Sequence, residues 1–427
     1  MGRAGPEARL SAGLWAVCVT FGALARMKGH IVAQTRAYLD HNATTPLRPE
    51  ARAAMGVGLD LLGNASSVHA EGRSARARIE TARDSIAALV GTAAKHIVFT
   101  SGATEALNLA LTPDLEIGGP TAAQRTARFE RLLIAGGEHV CVLAGHRFPA
   151  EAVEMLPLTA DGRIDLAGLK AALDRHAGRR VMLALQAANN ETGVIQPVEA
   201  AVAMVHAAGG AVICDAVQAA GRIDCDFAAL PADALVLSAH KIGGPQGIGA
   251  LCFAPGTYHI RTAVLRGGGQ ERGLRAGTEN VAAIMGFAAA MQAAAGNAQS
   301  LGAGLAAWRD EIEQKITQIA PDVVFFGVNA PRLPNTSNFA VPGMEAQVLL
   351  MSLDMEGIAV SSGSACSSGK VRRSHVLEAM GVSAALAQGA IRVSLGWDSR
   401  HDDLDRFAQA FEKSVRTVKA RQVKSAA

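Results

Sequence analysis

The chain has 427 residues, of which 49% are hydrophobic and only 19% charged, so it has enough apolar side chains to bury a sizeable core. This composition excludes a disordered or fibrous protein, and the length favours roughly two or three domains. A net charge of +3 gives no support for nucleic-acid binding, because no basic stripe interleaved with aromatic residues accompanies it.

The N-terminal region contains an apolar run, Leu10 to Ala25, that follows Arg3 and Arg9. This order imitates a signal peptide, but the run is short for a membrane span, which needs about 20 residues. We expect residues 1–37 to be an N-terminal extension, with Met27 as the true start of translation, and we expect no membrane association. A genuine export signal is the alternative interpretation.

Between Leu39 and about residue 300, short β-branched runs alternate with longer helical stretches. Because the runs are almost continuously apolar and alternate with helices, they predict a mostly parallel α/β sheet flanked by helices. The predicted helices close on glycine, as helices often do. The predicted strands include 96–100, 131–135, 181–187, 211–215, 234–240 and 247–253, and the predicted helices include 74–91 and 197–210.

The C-terminal part of the chain has a different pattern. A long helix over 301–320 is followed by the segments "TSNFAV" and "AIRVSLG" and by a closing helix that begins near Asp402. This order predicts a smaller α+β domain. We expect a large domain over 51–298 and a small domain over 38–50 and 299–427, with a cleft between them.

The six cysteines are spread along the chain without a CxxC pair, at Cys18, Cys141, Cys214, Cys225, Cys252 and Cys366. This spacing argues against a disulfide framework and a zinc site, and it favours a reducing, cytoplasmic compartment. Cys141, Cys214 and Cys252 lie in the apolar runs "EHVCVLA", "AVICDA" and "GALCFAP", which predict buried strands. We expect these three thiols and Cys225 to be structural.

Cys366 differs because it lies in the polar, glycine-rich stretch "SSGSACSSGK" (361–370). A reactive thiol needs exposure and a setting that favours the thiolate. Lys370, Arg372 and Arg373 supply positive charge nearby. Cys366 is therefore the candidate nucleophile.

Polar residues follow several of the predicted strands, where ligands of open α/β sheets bind. The strand "HIVFT" runs into Ser101 to Thr104 and a helix start, which suits either a phosphate group or an ordinary helix cap. The strand "AVICD" ends on Asp215, and "ALVLSAH" leads through Ser238 and His240 to Lys241. These strand ends are candidate ligand contacts.

Lys241 stands at a strand end ahead of a glycine-rich turn, an odd place for a solubilising charge. An amine with a lowered pKa is what Schiff-base chemistry needs, although a lysine that stood there alone would more often be a plain surface charge. Asp215 can pair with a pyridinium nitrogen, and the cradle formed by Ser101 to Thr104 can hold a phosphate. Together with the amine, these groups meet the requirements of pyridoxal 5'-phosphate (PLP). The combination predicts a PLP site.

Further polar residues stand near strand ends or inside a strand. His139 closes "RLLIAGGEH" and is either a satisfied polar group or an imidazole that stacks on the cofactor and shuttles protons. The stretch "LALQAANNETG" supplies Asn189 and Asn190. Arg392, inside "AIRVSLG", needs a carboxylate, which is either an internal Asp or Glu or the α-carboxylate of an amino-acid substrate.

Nine blocks along the chain resemble one known family. They are "YLDHNATTPLRPEA", "SSVHAEGRSAR", "FTSGATEALNLAL", "NNETGVIQPV", "CDAVQAAGRI", "SAHKIGGPQGIGAL", "RAGTENV", "SSGSACSSG" and "IRVSLG". Together, from residue 38 to about 400, they resemble the cysteine desulfurases of the NifS/IscS type, which are PLP-dependent enzymes of fold type I in the class V aminotransferase family. The resemblance implies a large domain that binds PLP, a small domain that carries the catalytic cysteine loop, and no metal site.

The resemblance also implies roles for individual residues. Around the cofactor, Lys241 would form the Schiff base, Asp215 would contact the pyridinium nitrogen, Gln218 would contact the ring hydroxyl, His139 would stack on the ring, and the phosphate would be held by Ala103, Thr104, Ser238 and His240. Thr278 would reach the phosphate of the cofactor in the other subunit, which implies a homodimer. Asn189 and Arg392 would hold the carboxylate of the substrate.

The implied activity is the conversion of L-cysteine to L-alanine. Lys241 would remove the α-proton, His139 would assist proton transfer, and Cys366 would take the sulfur as a persulfide and pass it to an acceptor protein. An iron–sulfur scaffold is the leading acceptor, with nitrogenase maturation, tRNA thiolation and general sulfur supply as alternatives. Transient ligation of a cluster by Cys366 is left open.

Two alternative readings remain at this point. The first is an aminotransferase or a selenocysteine lyase of the same fold. A plain aminotransferase needs no thiol such as Cys366, which argues against it. Selenocysteine as a further substrate stays open. A catalytically silent partner is the second, and the presence of both Lys241 and Cys366 argues against it. Arg373 stands where the family often has proline, and the segment 113–130 has no functional interpretation.

Overall fold

A seven-stranded sheet is the central feature of the described chain. The structure, a computed structural model, describes residues 36–117, 121, 126–256, 258–362 and 373–426. The apolar N-terminal run and the candidate nucleophile Cys366 lie outside these residues.

Short strands and longer helices alternate through most of the chain. The strands are β1 (Ala37–Tyr38), β2 (Ile97–Thr100), β3 (Leu115–Glu116), β4 (Arg131–Ala135), β5 (Val153–Leu156), β6 (Val181–Gln186), β7 (Ala211–Asp215), β8 (Ala234–Ser238), β9 (Gly249–Phe253), β10 (His259–Ile260), β11 (Val324–Phe325), β12 (Thr336–Ala340), β13 (Ile358–Ala359) and β14 (Ile391–Ser394). The α-helices are α1 (Pro49–Leu59), α2 (Ala70–Val90), α3 (Ala103–Ala110), α4 (Val140–Leu143), α5 (Leu166–Arg175), α6 (Val198–Ala207), α7 (Val281–Ile319), α8 (Ala346–Met355), α9 (His375–Ala379), α10 (Ala384–Gln388) and α11 (His401–Ala426).

The strand order of the central sheet is β2-β9-β8-β7-β6-β4-β5. Strands β5, β4, β6, β7 and β8 pair in parallel, whereas β9 runs antiparallel to both of its neighbours. Alternate residues of β6 belong to different hydrophobic clusters, Leu183 and Leu185 to one and Met182 and Ala184 to the other. Because successive strand residues point to opposite faces, both faces of the sheet are covered. The predicted, mostly parallel α/β fold is confirmed.

Two local features differ from the sequence-based expectation. The edge strand β5 was not predicted, and three of its four residues are only partly buried or exposed, so it lacks the apolar run of the inner strands. The run Val140–Leu143, predicted as a strand, forms the single-turn helix α4, whose first turn is capped by the His139 side chain. Four apolar residues fit either structure, and periodicity does not distinguish them.

A second sheet of three antiparallel strands, β11-β12-β14, lies in the C-terminal part of the chain. Its core includes Phe339 of β12 together with Leu349 of α8 and Phe407 and Phe411 of α11. Residues 36–427 form one compact unit. The division into a large and a small domain stays a prediction.

Helix α7 is 39 residues long and includes nearly all of the predicted helix 301–320 in its second half. Its first half places Phe287 and Met291 in the core of the central sheet, and its second half places Ile312 and Ile316 in the core of the second sheet. Among the described helices it is long and apolar enough to span a membrane by length and composition, yet 50% of its most apolar stretch is buried inside the protein. The helix therefore belongs to both cores.

A buried ion pair ties α2 to the segment that precedes α7. Two guanidinium nitrogens of Arg83 each lie 2.7 Å from an oxygen of the Glu271 carboxylate, and both side chains are almost fully buried. Glu271 also accepts the Phe99 N–H, and Arg83 donates to the Ile97 carbonyl, so the pair holds β2 as well. Glu271 and Arg272 have φ angles of 45° and 58°, a left-handed conformation that costs non-glycine residues energy and that these contacts hold in place.

Replacing Arg83 with methionine removes the cation and leaves the Glu271 carboxylate buried without its partner. We expect Arg83→Met to lower the free energy of unfolding by about 3–5 kcal/mol. The control Arg78→Met, on the exposed face of the same helix, should change it by less than about 0.5 kcal/mol. Urea unfolding followed by circular dichroism measures both, and equal unfolding midpoints would contradict a stabilising role for the pair.

Candidate active site

A cavity of about 570 Å³ opens beyond the carboxyl ends of β6, β7 and β8. The predicted strand-end residues meet there because neighbouring parallel strands end at the same edge of a sheet. The predicted site residues that line the cavity are Ala103, Thr104, His139, Asp215, Gln218, Ser238, His240, Lys241 and Arg392.

Lys241 closes a single 3₁₀ turn, Ala239–Lys241, that follows β8. Its ammonium donates to the carbonyl oxygens of Asn42 and Ala43, both at 2.7 Å. The Lys241 carbonyl in turn accepts a hydrogen bond from the Thr45 hydroxyl at 3.1 Å. The amine is therefore held at the cavity by the turn that follows β1.

Asp215 and Gln218 present polar atoms to the same cavity. Asp215 Oδ1 accepts the Val217 N–H at 3.0 Å. Burial raises the pKa of the Asp215 carboxyl to about 6, although the Val217 N–H and the charge of Lys241 act in the opposite direction. Gln218 Nε2 donates to the Asn42 carbonyl at 3.0 Å, while its buried Oε1 has no hydrogen-bond partner within the described part of the chain.

The N-terminus of α3 also borders the cavity, through Ala103 and Thr104. The first N–H groups of a helix have no partner inside the helix, and the helix dipole adds partial positive charge, so this end suits an anion. Gly249 of β9 allows a close approach, because a Cβ atom there would lie 2.8 Å from the Gly102 carbonyl carbon. The predicted phosphate cradle thus has the required backbone geometry.

Two histidines border the cavity. Burial, followed by the charges of Lys241 and His375, lowers the pKa of His139 to about 4. Burial, followed by Lys241 and Arg222, lowers the pKa of His240 to about 4. Both imidazoles are therefore neutral at pH 7, and either can accept a proton.

Cys141 also borders the cavity, which contradicts its prediction as a structural residue of a buried strand. Its backbone nitrogen and its sulfur lie 3.2 and 2.9 Å from His139 Nδ1. Burial raises the pKa of the thiol to about 12, so the sulfur keeps its proton. Cys214 and Cys252, in contrast, are fully buried in β7 and β9, as predicted.

Arg392 has the internal carboxylate partner that the sequence left as one alternative. Its Nη2 donates to Asp40 Oδ1 at 2.7 Å, and its Nη1 donates to the Asn190 carbonyl at 2.8 Å. Its Nε is buried without a partner among the described residues. Because the guanidinium still borders the cavity, a substrate carboxylate would join an existing ion pair.

Two of the predicted residues that the structure describes do not border the cavity. Asn189 Oδ1 accepts the Glu191 N–H of its own turn at 2.9 Å and its Nδ2 donates to the Gly137 carbonyl of a distant segment at 3.0 Å, so both polar atoms of the side chain are used away from the cavity. Asn190 borders the cavity instead, so the structure does not support the choice of Asn189 over its neighbour. Thr278 is exposed on the surface of the chain, and its contact with the cofactor of another subunit stays a prediction.

Several cavity residues received no role from the sequence. Asn42, Ala43 and Thr44 reach the cavity from the turn after β1, and Gln186 reaches it from the end of β6. The available signals were the polar turn "DHNATT" between an apolar strand and a proline, and a glutamine that closes an otherwise apolar run.

The chain is similar to proteins of one family over most of its length. The family model described as aminotransferase class-V matches residues 37–407. An IscS-like cysteine desulfurase from Mycobacterium tuberculosis is 38% identical over 386 residues, which cover 89% of this chain and 96% of that protein. A cysteine desulfurase from Cereibacter sphaeroides is 39% identical over 391 residues, or 90% of this chain and 97% of that protein. The X-ray structure of a NifS-like protein from Rickettsia africae superposes with a TM-score of 0.78 at 32% identity, covering 89% of this chain and 99% of that one.

The fold and the cavity define a PLP-dependent enzyme of fold type I. The chain belongs to the class V aminotransferase family, as a cysteine desulfurase of the NifS/IscS type. The recognition made from the nine sequence blocks is thereby confirmed.

The residues present fit PLP. Lys241 supplies an amine and Asp215 supplies a buried carboxyl for the ring nitrogen. The unpartnered Oε1 of Gln218 supplies a buried acceptor for the ring hydroxyl. The N-terminus of α3, at Ala103 and Thr104, suits the phosphate.

Removing the Asp215 charge should stabilise the cofactor-free protein and weaken PLP binding. Burial raises the pKa of this carboxyl from 3.8 to about 6, so its ionisation opposes folding above pH 6 and has no effect below pH 3.8. We expect Asp215→Asn to raise the free energy of unfolding at pH 7 by roughly 1–3 kcal/mol, with the gain vanishing as the pH falls through this window, and to lose PLP on dialysis.

Urea unfolding of the cofactor-free protein at pH 4 and pH 7 checks this expectation. Asp84→Asn, at an exposed position of α2, is the matched control. A stability gain that is the same at both pH values would show that the buried charge is not its cause.

Proposed function

We propose that the enzyme converts L-cysteine to L-alanine and transfers the sulfur to Cys366 as a persulfide. The observation that carries the proposal is the convergence of Lys241, Asp215 and Arg392 on one cavity. These residues supply an amine, an acid for the ring nitrogen and a cation for the substrate carboxylate. Relatives named as cysteine desulfurases, which align with 89% and 90% of the chain, support the same reaction.

When bound, PLP supplies an electron sink for the bonds at the substrate α-carbon. The protein supplies binding and proton transfer. Two backbone carbonyls hold the Lys241 ammonium at the cavity. After the ammonium loses one proton, the amine serves as the base that removes the α-proton of the substrate. His139, neutral at pH 7, donates a ring proton and takes one back, and Arg392 orients the α-carboxylate.

Cys366, which lies outside the described residues, carries the sulfur transfer. Its thiolate forms a bond to the substrate sulfur while the Cβ–S bond of the substrate breaks, and the electron pair of that bond stays on Cβ. Protonation of Cβ completes L-alanine, and Cys366 keeps the sulfur as a persulfide. A thiol reductant then cleaves the S–S bond, releases sulfide and restores the Cys366 thiol.

Cys366→Ala should abolish the reaction but leave PLP bound. With PLP, L-cysteine and a thiol reductant, we expect the wild type to form alanine and sulfide in equal amounts and Cys366→Ala to be slower by more than about 100-fold. The control Cys225→Ala removes a half-buried thiol that does not border the cavity and should keep full activity. If the wild type and Cys366→Ala both show the visible absorbance of bound PLP and neither forms sulfide, the assigned reaction is wrong.

We further propose that the persulfide sulfur passes to an acceptor protein, with an iron–sulfur scaffold as the leading candidate. The family resemblance supports this assignment. Among the described residues that flank the segment 363–372, Ser361 pairs with Arg392, which borders the cavity, and Ser374 donates to the buried Glu191 carboxylate.

We also propose that the enzyme is a homodimer. Apolar residues are largely exposed on and after the last turn of α1: Leu59, Leu62 and Val68. Gln270 donates to the Ser66 hydroxyl and accepts the Gly277 N–H, so this apolar surface lies beside the segment that carries Thr278. A second copy that covers the surface would bring Thr278 next to a partner, as the family resemblance implies.

Leu62→Asp should weaken the dimer, because it places a charge in an apolar interface. We expect the wild type to sediment as a dimer, and Leu62→Asp to sediment as a monomer and to retain less PLP. Met355→Asp is the control, since Met355 is 84% exposed at the end of α8 and Leu62 is 83% exposed. A monomeric wild type, or a dimer unaffected by Leu62→Asp, would refute this assignment.

A cytoplasmic location is the last part of the proposal. The described cysteines, Cys141, Cys214, Cys225 and Cys252, are all free thiols. Free thiols and a persulfide carrier both suit a reducing compartment.

A further inference from the structure

The cavity contains a thiol, Cys141, that the proposed reaction does not use. Because α4 begins at Val140 with His139 as its N-cap, the chain turns Cys141 back toward the preceding imidazole. The Cys141 sulfur lies 2.9 Å and its backbone nitrogen 3.2 Å from one ring nitrogen, His139 Nδ1.

Two donors on the same ring nitrogen together determine where the proton of the ring lies. The peptide N–H of Cys141, at 3.2 Å, can only donate, so it favours the tautomer in which His139 Nδ1 accepts and carries no proton. The thiol of Cys141 meets the same nitrogen and donates its S–H, because burial raises the pKa of that thiol to about 12 and keeps the proton on sulfur. His139 itself is neutral, with a pKa lowered to about 4 mainly by burial. Its single ring proton is therefore on Nε2.

We propose that Cys141 is a positioning residue for His139, whose imidazole its thiol and backbone N–H hold in the Nε2–H tautomer and in one orientation at the cavity. The inference rests on the proposed function, in which His139 transfers a proton. A protonated thiol suits this role, since a thiolate would draw a proton onto Nδ1 and would compete with Cys366 for the substrate sulfur.

Nitrogen NMR of the imidazole reads the tautomer directly in the PLP-loaded enzyme. In ¹⁵N-histidine-labelled protein, with His139→Gln to assign the signals, we expect Nε2 to carry the proton in the wild type. Cys141→Ala should give a mixture of the two tautomers. Cys141→Ser, which restores a donor, should return the wild-type pattern. If Cys141→Ala leaves the tautomer unchanged, the backbone N–H is sufficient and the thiol has no positioning role.

Kinetics of L-cysteine desulfuration give a second readout. We expect kcat of Cys141→Ala to fall about 3- to 10-fold with KM and bound PLP unchanged, and kcat of Cys141→Ser to stay within about 2-fold of the wild type. If the thiol only fills space, kcat of Cys141→Ala should exceed kcat of Cys141→Ser, because alanine suits an apolar contact better than a hydroxyl does. That order would overturn the proposal. Cys225→Ala, away from the cavity, is the control for loss of a thiol.

The two proposals fail in different ways. If the PLP-loaded wild type forms no sulfide, the proposed reaction is wrong, whereas the ring-nitrogen spectra still decide whether Cys141 fixes the tautomer. If sulfide forms normally and the spectra and kcat of Cys141→Ala equal those of the wild type, only the inference about Cys141 is wrong.

Discussion

The rest of the site depends on the turn 41–45, which bonds to both sheets. The Asn42 carbonyl accepts hydrogen bonds from Gln218 and Lys241, which follow strands of the central sheet. The N–H and side chain of Asn42 bond to Ser394 and Thr336 in the second sheet. Because an unpaired buried polar group costs about 1–3 kcal/mol, these bonds fix the cofactor lysine and the arginine-bearing strand β14 in one arrangement.

The same turn explains the glycine that closes the motif "IRVSLG". A Cβ atom at Gly396 would lie 1.8 Å from His41 Nδ1, so no larger residue allows this approach. Burial, followed by the charge of Arg222, lowers the pKa of His41 to about 3, which keeps the imidazole neutral inside the contact. A neutral, tightly packed turn thereby joins the two sheets without adding another buried charge.

The sequence predicted the parts of the site that follow a simple pattern. Asp215 closes one apolar run and Lys241 follows shortly after another, and the ends of parallel strands converge, so their meeting was predictable. Cys141 was misassigned because the four-residue run that contains it fits a strand as well as a helical turn. Asn189 and Asn190 are adjacent, and only the tertiary structure shows that the side chain of Asn189 is bonded to its own turn and to Gly137 rather than facing the cavity. The polar turn "DHNATT" marks Asn42 as a candidate, but its bonds to Gln218, Ser394 and Thr336 have no local signal, since these partners are distant in sequence.

The charges around the cavity indicate how an amino-acid substrate is accommodated. Lys241 and Arg392 border the cavity, as do the carboxylates Asp215 and Glu105, and Glu105 is paired with Arg275. Arg392 already pairs with Asp40, and its buried Nε has no partner among the described residues, so under the proposed function a substrate carboxylate would add a contact to Nε without breaking that pair. Two carboxylates would then share one guanidinium. Lys241 supplies a second cation at the cavity. The proposed anionic cofactor and carboxylate substrate therefore match cations that the fold places at the cavity before either one binds.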